Sequence, residues 1–223
     1  MYNYNIKYIV IGEYRLNTVD KVEKRPTKKA AYAAIKTYAS GGHALVEREE
    51  NDFYATHPSA LEKFLDSFEE NLHKRIWEPS CGMGHLSEVL KARGYKVCSS
   101  DLINRGYGYH GIDFLKTNKQ WDGDIVTNPP YSLALDFVKH SFDVVTDGKF
   151  IIMFLKITFL EGIERKKFYV SGFNPKYVYV SSSRLNCSKN ADFEKYKKQN
   201  AVCYAWYVWQ KSFNGDTKIR WFN

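Results

Sequence analysis

From residue 51 onwards, stretches typical of β-strands alternate with stretches typical of α-helices. The strand-like stretches are short and rich in β-branched and aromatic residues, whereas the helix-like stretches place apolar residues at helical spacing. This alternation predicts an α/β fold with a parallel sheet and helices on both faces. The predicted strands are Arg75–Trp77, Lys96–Ser100, Asp124–Thr127, Phe150–Leu155, Tyr177–Val180 and Val202–Trp209, and the predicted helices are Ser59–Leu72, His85–Arg93, Ser132–Val145 and Glu161–Tyr169.

The chain divides into a short N-terminal part and a longer main part. Its 223 residues suffice for one well-buried domain with an addition. Residues 1–50 predict a small α/β appendage, with a strand at Ile6–Ile11 and an alanine-rich helix at Thr27–Ser40. Residues 51–223 form the predicted main domain, and within it the polar, lysine-rich residues 181–200 predict a mobile loop.

Composition excludes several classes of protein. No apolar run approaches the roughly 18–20 residues that a membrane-spanning helix needs, and the first ten residues lack the order of a signal peptide. The four cysteines are scattered, and the six histidines form no cluster with metal-ligand spacing. We therefore expect a cytoplasmic protein with reduced cysteines, no metal site and no membrane partner.

The net charge of +8 is concentrated at the two ends of the chain. Residues 176–223 contain nine Lys and Arg against three Asp and Glu, whereas residues 51–175 are nearly neutral. Basic flanks are expected where a protein faces a polyanion, because lysine and arginine make phosphate contacts. Ordinary solubilising surface charge explains the same distribution equally well.

A glycine-bearing turn and an acidic residue follow the first two predicted strands. Gly82 and Gly84 allow the backbone to turn tightly and approach a ligand, although two glycines also suit a purely structural turn. The third glycine of the dinucleotide motif is missing, which disfavours NAD. Asp101 is placed to accept hydrogen bonds from two ribose hydroxyls or, alternatively, to cap a helix. Asp113 is a candidate acceptor for an adenine amino group, with Phe114 beside the ring.

The segment Asn128-Pro129-Pro130-Tyr131 follows the third predicted strand and is the most specific motif. Two prolines stiffen the turn and remove two backbone donors, which leaves carbonyl oxygens as acceptors. The Asn128 side chain adds another oxygen, and Tyr131 adds a flat face. This combination suits a planar group that carries an NH2, because accepting both N–H bonds frees the nitrogen lone pair for attack. The motif therefore predicts nucleophilic attack by an aromatic amine that requires no metal, general base or covalent intermediate.

Taken together, these segments resemble the motif series of S-adenosylmethionine-dependent DNA adenine N6-methyltransferases. The small enzymes of bacteriophages and prophages are similar in further stretches: S-S-D-L-I-N-R-G-Y-G (99–108), F-L-E-G (159–162) and A-W-Y-V-W (205–209). The likeness spans roughly residues 51–223. It implies a Rossmann-like, seven-stranded class I methyltransferase sheet with an antiparallel last strand, and the motif order of the gamma group. The chain departs from the family at Thr56-His57-Pro58, where members commonly have Thr-Pro.

The resemblance implies roles for named residues in a transfer from S-adenosylmethionine to the N6 amino group of a flipped-out adenine in double-stranded DNA. It implies a catalytic site at Asn128, Pro129, Pro130 and Tyr131. It implies cofactor binding by Tyr54, Thr56, Glu78, Pro79, Gly82, Gly84, Asp101, Asp113, Phe114 and Asn128. Contacts to nucleic-acid phosphates are expected from Arg184, Lys189, Lys195, Lys197 and Lys198.

Other functions remain open at this stage. The same tetrapeptide chemistry serves enzymes that methylate bases in structured RNA or a glutamine side chain in a protein. A protein that binds nucleic acid without catalysis is a further alternative, although the intact glycines, Asp101 and tetrapeptide argue against it. The recognition sequence, the oligomeric state and the role of residues 1–50 do not follow from the sequence.

Overall fold

A computed structural model describes residues 54–183, 187–189 and 202–223. The predicted appendage at 1–50 and the predicted phosphate-binding residues Arg184, Lys195, Lys197 and Lys198 lie outside these ranges. Helices begin and end at α1 (Pro58–Ser67), α2 (His85–Ala92), α3 (Ala134–Val144) and α4 (Ile163–Phe168). The strands are β1 (Tyr54–Thr56), β2 (Arg75–Glu78), β3 (Lys96–Ser99), β4 (Asp124–Thr127), β5 (Phe150–Lys156), β6 (Tyr177–Ser181), β7 (Cys187–Lys189), β8 (Tyr204–Gln210) and β9 (Lys218–Phe222).

The main sheet has seven strands in the order β3-β2-β4-β5-β8-β6-β9. Strands β2 to β5 pair in parallel, so their carboxyl ends meet at one edge of the sheet. Strand β8 is antiparallel to both of its neighbours, β5 and β6. The predicted seven-stranded α/β sheet is confirmed.

Two apolar layers cover the two faces of this sheet. One layer contains the buried side chains of α1 and α2, and the other contains those of α3. Strand β8 contributes to both, because successive side chains point to opposite faces: Trp206 packs in the first layer and Tyr207 in the second. The aromatic residues of β6 and β8 are therefore buried in the core.

Three features of the chain's second half differ from the sequence-based expectation. The segment 181–200 does not stay a loop throughout, because Cys187–Lys189 pairs with β1 in a separate two-stranded sheet. The antiparallel strand β8 is not the last one. It is followed by β9, an edge strand parallel to β6 that the sequence pattern did not indicate.

Helix α1 is shorter than predicted. Pro58 occupies its first turn, and the His57 ring accepts a hydrogen bond from the backbone N–H of Ser59 at 3.3 Å. The helix ends at Ser67 because Phe68 takes an extended backbone conformation. That turn places the Phe68 ring against Phe150 and Tyr179 of the sheet, with ring centroids 5.6 and 5.9 Å away.

Candidate functional site

The turn between β2 and α2 is shaped by two glycines with positive φ. Gly82 has φ 55° and Gly84 has φ 86°, a left-handed conformation that side chains other than glycine rarely adopt. Gly84 is the residue that precedes α2, and its N–H donates to the carbonyl of Cys81 at 2.8 Å. The turn therefore folds back sharply from the carboxyl end of β2.

Asp101 connects this turn to the end of β3. Its carboxylate accepts hydrogen bonds from the backbone N–H of Gly82 at 2.8 Å and of Ile103 at 2.9 Å. Asp101 is 9% exposed and lines a cavity. Because a carboxylate has about four acceptor positions, these two bonds leave capacity for two ligand hydroxyls.

The loop after β3 packs over the glycine turn, although no residue between 102 and 108 was predicted to belong to the site. Tyr107 lies against Gly84 so closely that a Cβ there would come within 2.5 Å of the ring. The Tyr107 hydroxyl donates to Glu88 of α2 at 2.5 Å and accepts from Lys91 at 2.7 Å. The preceding residues of this loop, Leu102, Ile103 and Arg105, line the cavity. In the sequence, the Gly-Tyr-Gly pattern at 106–108 is the feature that indicates the contact between Tyr107 and Gly84.

The tetrapeptide after β4 is fixed by hydroxyl groups from neighbouring elements. The Asn128 amide nitrogen donates to the Thr56 hydroxyl of β1 at 2.9 Å, which defines the orientation of the amide. The Ser80 hydroxyl bonds the Thr127 hydroxyl at 2.6 Å and donates to the Asn128 backbone carbonyl at 3.2 Å. Ser80 is a positioning residue that the sequence did not single out.

Tyr131 lies among cationic and aromatic neighbours. Its ring centroid is 6.0 Å from that of Tyr204, and the Lys156 ammonium lies 5.2 Å from the Tyr131 ring. A short 3-10 helix begins at Tyr131 and leads into α3. These contacts hold the ring at the carboxyl edge of the sheet.

These elements enclose a cavity of about 370 Å³, within the range of small-molecule sites. Eight of the predicted site residues line it: Thr56, Glu78, Gly82, Asp101, Asn128, Pro129, Pro130 and Tyr131. The lining combines backbone N–H groups, a carboxylate, an amide and apolar side chains. That donor set and volume fit a molecule of the size of S-adenosylmethionine, with its ribose, purine and charged methionine end.

Two residues that were predicted to contact the cofactor, Asp113 and Phe114, have other contacts in the structure. Phe114 is 2% exposed and packs in the core, with ring centroids 5.2 Å from Trp77 and 5.0 Å from Phe137. Asp113 caps the short 3-10 helix that begins at Phe114 by accepting from Leu115 N–H at 3.2 Å, and it pairs with Lys116 at 3.0 Å. Neither residue lines the cavity, because the local turn directs one side chain into the core and the other to its own backbone.

Two of the remaining predicted residues belong to the glycine turn. Pro79 is buried in the turn, and Gly84 makes room for Tyr107. Tyr54 and Lys189 pair with each other through the backbones of β1 and β7. The structure describes no side-chain position for either of these two residues.

Burial changes the acid–base properties of the cavity wall. Glu78 is 1% exposed, and desolvation raises its pKa to about 8, although a hydrogen bond from the Ser87 hydroxyl acts in the opposite direction. Burial likewise raises the pKa of the Cys81 thiol to about 12, so this cysteine is a thiol at neutral pH. Burial lowers the pKa of His85, which favours the neutral imidazole.

The described ranges contain neither a metal-binding cluster nor a membrane-spanning helix. No group of three or more His, Cys, Asp or Glu side chains is arranged there to hold a metal ion. None of the helices in those ranges is long and apolar enough to cross a membrane.

No protein-family model matches the chain, and no curated protein matches its sequence. Solved structures do match it. A protein from Pyrococcus horikoshii named as an RNA methyltransferase is 15% identical; the match covers 85% of this chain and 100% of that protein, with a TM-score of 0.52.

Two more matches come from bacteria. The methyltransferase subunit of a type I restriction-modification system from Streptococcus thermophilus is 14% identical over 82% of this chain, with a TM-score of 0.56. This match spans only 50% of that subunit's length. A Listeria monocytogenes protein named as a class I S-adenosylmethionine-dependent methyltransferase is 10% identical, with 74% and 61% of the two chains covered and a TM-score of 0.50. At such low identities the likeness shows the fold, which is that of class I methyltransferases.

Proposed function

We propose that this chain binds S-adenosylmethionine and transfers its methyl group to the N6 amino group of adenine in double-stranded DNA. The observation that carries the proposal is the position of Asn128-Pro129-Pro130-Tyr131 at the carboxyl end of β4, in the wall of the 370 Å³ cavity. When bound, the cofactor supplies an activated methyl group on a sulfonium that is a good leaving group. The chain's own residues then have to orient and activate the amine.

Cofactor binding is assigned to the residues that meet at the carboxyl edge of the sheet. Asp101 accepts hydrogen bonds from the two ribose hydroxyls while its contacts to Gly82 and Ile103 keep the carboxylate in place. The backbone of the glycine turn approaches the ligand closely because no Cβ intervenes at Gly82. Thr56 and Glu78 line the same cavity and complete the polar wall.

Activation of the amine is assigned to the tetrapeptide. The Asn128 amide oxygen and the Pro129 carbonyl accept the two amino hydrogens, which draws the nitrogen towards a tetrahedral shape and frees its lone pair. Thr56 supports this arrangement, because its bond to the Asn128 amide nitrogen sets the direction of the oxygen. Tyr131 stacks on the base. Alignment of the amine with the methyl group supplies much of the acceleration.

The nucleic-acid substrate is supported by charge. The chain has a net charge of +8 with a basic C-terminal part, which favours a polyanion over a protein substrate. In duplex DNA the amino group is buried in the stack, so the target nucleotide has to be flipped out. S-adenosylmethionine and DNA both occur in the cytoplasm of a bacterium or of a phage-infected cell. We propose that the enzyme acts there.

The test is incubation of the protein with tritiated S-adenosylmethionine and unmethylated duplex DNA, followed by nucleoside analysis. We expect label in N6-methyl-2′-deoxyadenosine, and about 100-fold less or lower still with the Asn128→Ala variant. Label in cytosine would support methyl transfer to DNA but contradict adenine as the target base. Exclusive labelling of RNA or of protein glutamine would overturn the DNA substrate. Cofactor binding without transfer to any of these acceptors would favour a non-catalytic binding protein.

A further inference from the structure

A second cavity adjoins the first, and Tyr131 and Ser132 line both. It has a volume of about 180 Å³. Its wall contains two cationic side chains, Lys156 and Arg165, and the hydroxyl-bearing Thr158, but no carboxylate among the described residues. The first cavity, in contrast, combines the cationic Arg105 with the carboxylate of Asp101, and its buried Glu78 is protonated at neutral pH. The two cavities therefore differ in charge, and the second one suits an anion.

The guanidinium of Arg165 is held in place by the segment Phe159-Leu160-Glu161-Gly162. It lies 5.1 Å from the centroid of the Phe159 ring, a cation–π distance. Its Nε donates to the Glu161 carbonyl, and Nη2 donates to the Thr158 carbonyl at 3.4 Å. Gly162 has φ 111°, and a Cβ there would come within 2.9 Å of the guanidinium. These contacts fix the position of the Arg165 guanidinium.

Lys156 is placed by the end of strand β5. Its backbone carbonyl accepts from the buried Tyr207 hydroxyl at 3.2 Å, so the main chain is fixed. The side chain is half-buried, and its ammonium lies 5.2 Å from the Tyr131 ring. Since β4 and β5 are parallel neighbours, Lys156 lies at the same sheet edge as the tetrapeptide.

We propose that this second cavity binds a backbone phosphate next to the nucleotide that presents its amino group to Asn128. The inference rests on the proposed function, because it names the part of the nucleic-acid substrate that this surface binds. The planar guanidinium suits two phosphate oxygens at once, and Lys156 adds a point charge. Binding the phosphate here, beside Tyr131, would hold the flipped nucleotide in register with the tetrapeptide.

The experiment measures the salt dependence of DNA binding by fluorescence anisotropy with a labelled unmethylated duplex. Each phosphate contact adds about 0.9 to the slope of log K against log salt for duplex DNA. We expect the double variant Arg165→Gln/Lys156→Gln to lower the slope by about 0.9, and each single variant to lower it by part of that amount and to weaken binding about 3- to 10-fold at moderate salt. Arg165→Lys retains the positive charge and should keep most of the slope.

Lys166→Gln is the matched control, because Lys166 is an exposed neighbour on α4 that does not line the cavity. We expect its slope to equal that of the wild type. An unchanged slope in Arg165→Gln and Lys156→Gln would overturn the inference, and so would an equal loss in Lys166→Gln, which would indicate diffuse attraction to a basic surface. Absence of DNA binding by the wild type would overturn it as well.

Calorimetric titration with S-adenosylmethionine reports on the folding of each variant, because the cofactor cavity is separate from Arg165. The methyl-transfer assay distinguishes this inference from the proposed function. A wild type that binds DNA without transferring methyl groups contradicts the proposed function, yet the slopes of the variants still decide the phosphate site. Transfer with unchanged slopes contradicts only the phosphate site.

Discussion

The carboxylate of Asp101 accepts a hydrogen bond from the backbone N–H of Gly82 at 2.8 Å. This contact joins the end of β3 to the glycine turn after β2 and fixes the acceptor that we assign to the ribose hydroxyls. Asp101 is almost completely buried, so water cannot readily take over its role as acceptor. Removal of the carboxylate would therefore leave the Gly82 N–H as an unsatisfied buried donor, which costs stability.

Asp101→Asn is expected to weaken S-adenosylmethionine binding by about 10-fold or more, since hydrogen bonds to a charged acceptor contribute about 1.5–3 kcal/mol. Isothermal titration calorimetry measures the change. Asp113→Asn is the matched control. It changes the same chemical group outside the cavity and should leave the dissociation constant within about 2-fold of the wild-type value. Equal losses in both variants would restore Asp113 as a cofactor contact.

Asn128→Ala separates catalysis from cofactor binding. Loss of one positioned acceptor should lower methyl transfer by about 100-fold or more, by analogy with the removal of one preorganised hydrogen-bonding group in other enzymes. The dissociation constant for the cofactor should change by less than about 5-fold. Single-turnover transfer with tritiated cofactor and calorimetry provide the two measurements. Loss of binding in proportion to transfer would contradict the assigned role.

Thr56→Val tests the positioning of that same amide. The substitution keeps the shape of the side chain and removes the hydroxyl that accepts from Asn128 at 2.9 Å. We expect transfer to fall by about 10-fold, the factor that corresponds to one hydrogen bond, with a smaller effect on cofactor affinity. Ser132→Ala, which removes a hydroxyl elsewhere in the cavity wall, serves as a comparison. A larger effect of Ser132→Ala would place the critical hydroxyl there.

The contact between Gly84 and Tyr107 gives a prediction about the loop that closes the turn. Gly84→Ala should weaken cofactor binding, because the new Cβ meets the Tyr107 ring at 2.5 Å and the positive φ costs about 1–2 kcal/mol. In Gly84→Ala/Tyr107→Ala the steric conflict is absent. The double-variant cycle should therefore give a combined loss below the sum of the two single losses, with a coupling of about 0.5–3 kcal/mol.

Tyr107→Phe is the control for that cycle. It keeps the ring and removes the bonds to Glu88 and Lys91, which lie on an exposed helix face and contribute less than about 1 kcal/mol. Cofactor affinity should remain close to the wild-type value. Strict additivity in the Gly84 cycle would show that φ alone, and not the ring, explains the requirement for glycine.

The sequence predicted six of the seven strands of the main sheet, because these strands depend on local features. Buried strands such as β5 are continuous apolar runs, and Pro129-Pro130 ends β4 whatever surrounds it. The order of the motifs then places Gly82, Asp101 and Asn128 at one sheet edge, since the carboxyl ends of parallel strands meet there. Eight of the predicted site residues line the cavity.

The sequence failed where a role depends on contacts between distant segments. Phe114 lies close in sequence to other candidate residues, yet the core pocket formed by Trp77 and Phe137 accommodates its ring. Ser80 is an ordinary serine until the fold brings it to Thr127. Strand β9 mixes charged and apolar residues, as expected at a sheet edge, so its pattern resembles a loop.

The buried carboxyl group of Glu78 predicts a dependence of stability on pH. Burial raises its pKa from 4.5 to about 8 in the folded protein. Between these values the folded state binds a proton that the unfolded state has released, so the free energy of unfolding falls as pH rises from about 5 to about 8. The slope reaches about 1.4 kcal/mol per pH unit at most, which gives a total of a few kcal/mol.

Glu78→Gln should remove this dependence, because the amide stays neutral while it can still accept from the Ser87 hydroxyl. Urea denaturation of the cofactor-free protein at pH 5, 6, 7 and 8 gives the difference between wild type and variant. Glu88→Gln on the exposed face of α2 is the control. A hydrogen bond from Tyr107 lowers the pKa of Glu88, so its contribution is present above pH 4.5 and is lost only below it. The stability profile of Glu88→Gln should therefore run parallel to that of the wild type between pH 5 and 8. If Glu78→Gln also gave a profile parallel to the wild type, Glu78 would be ionised in the folded protein.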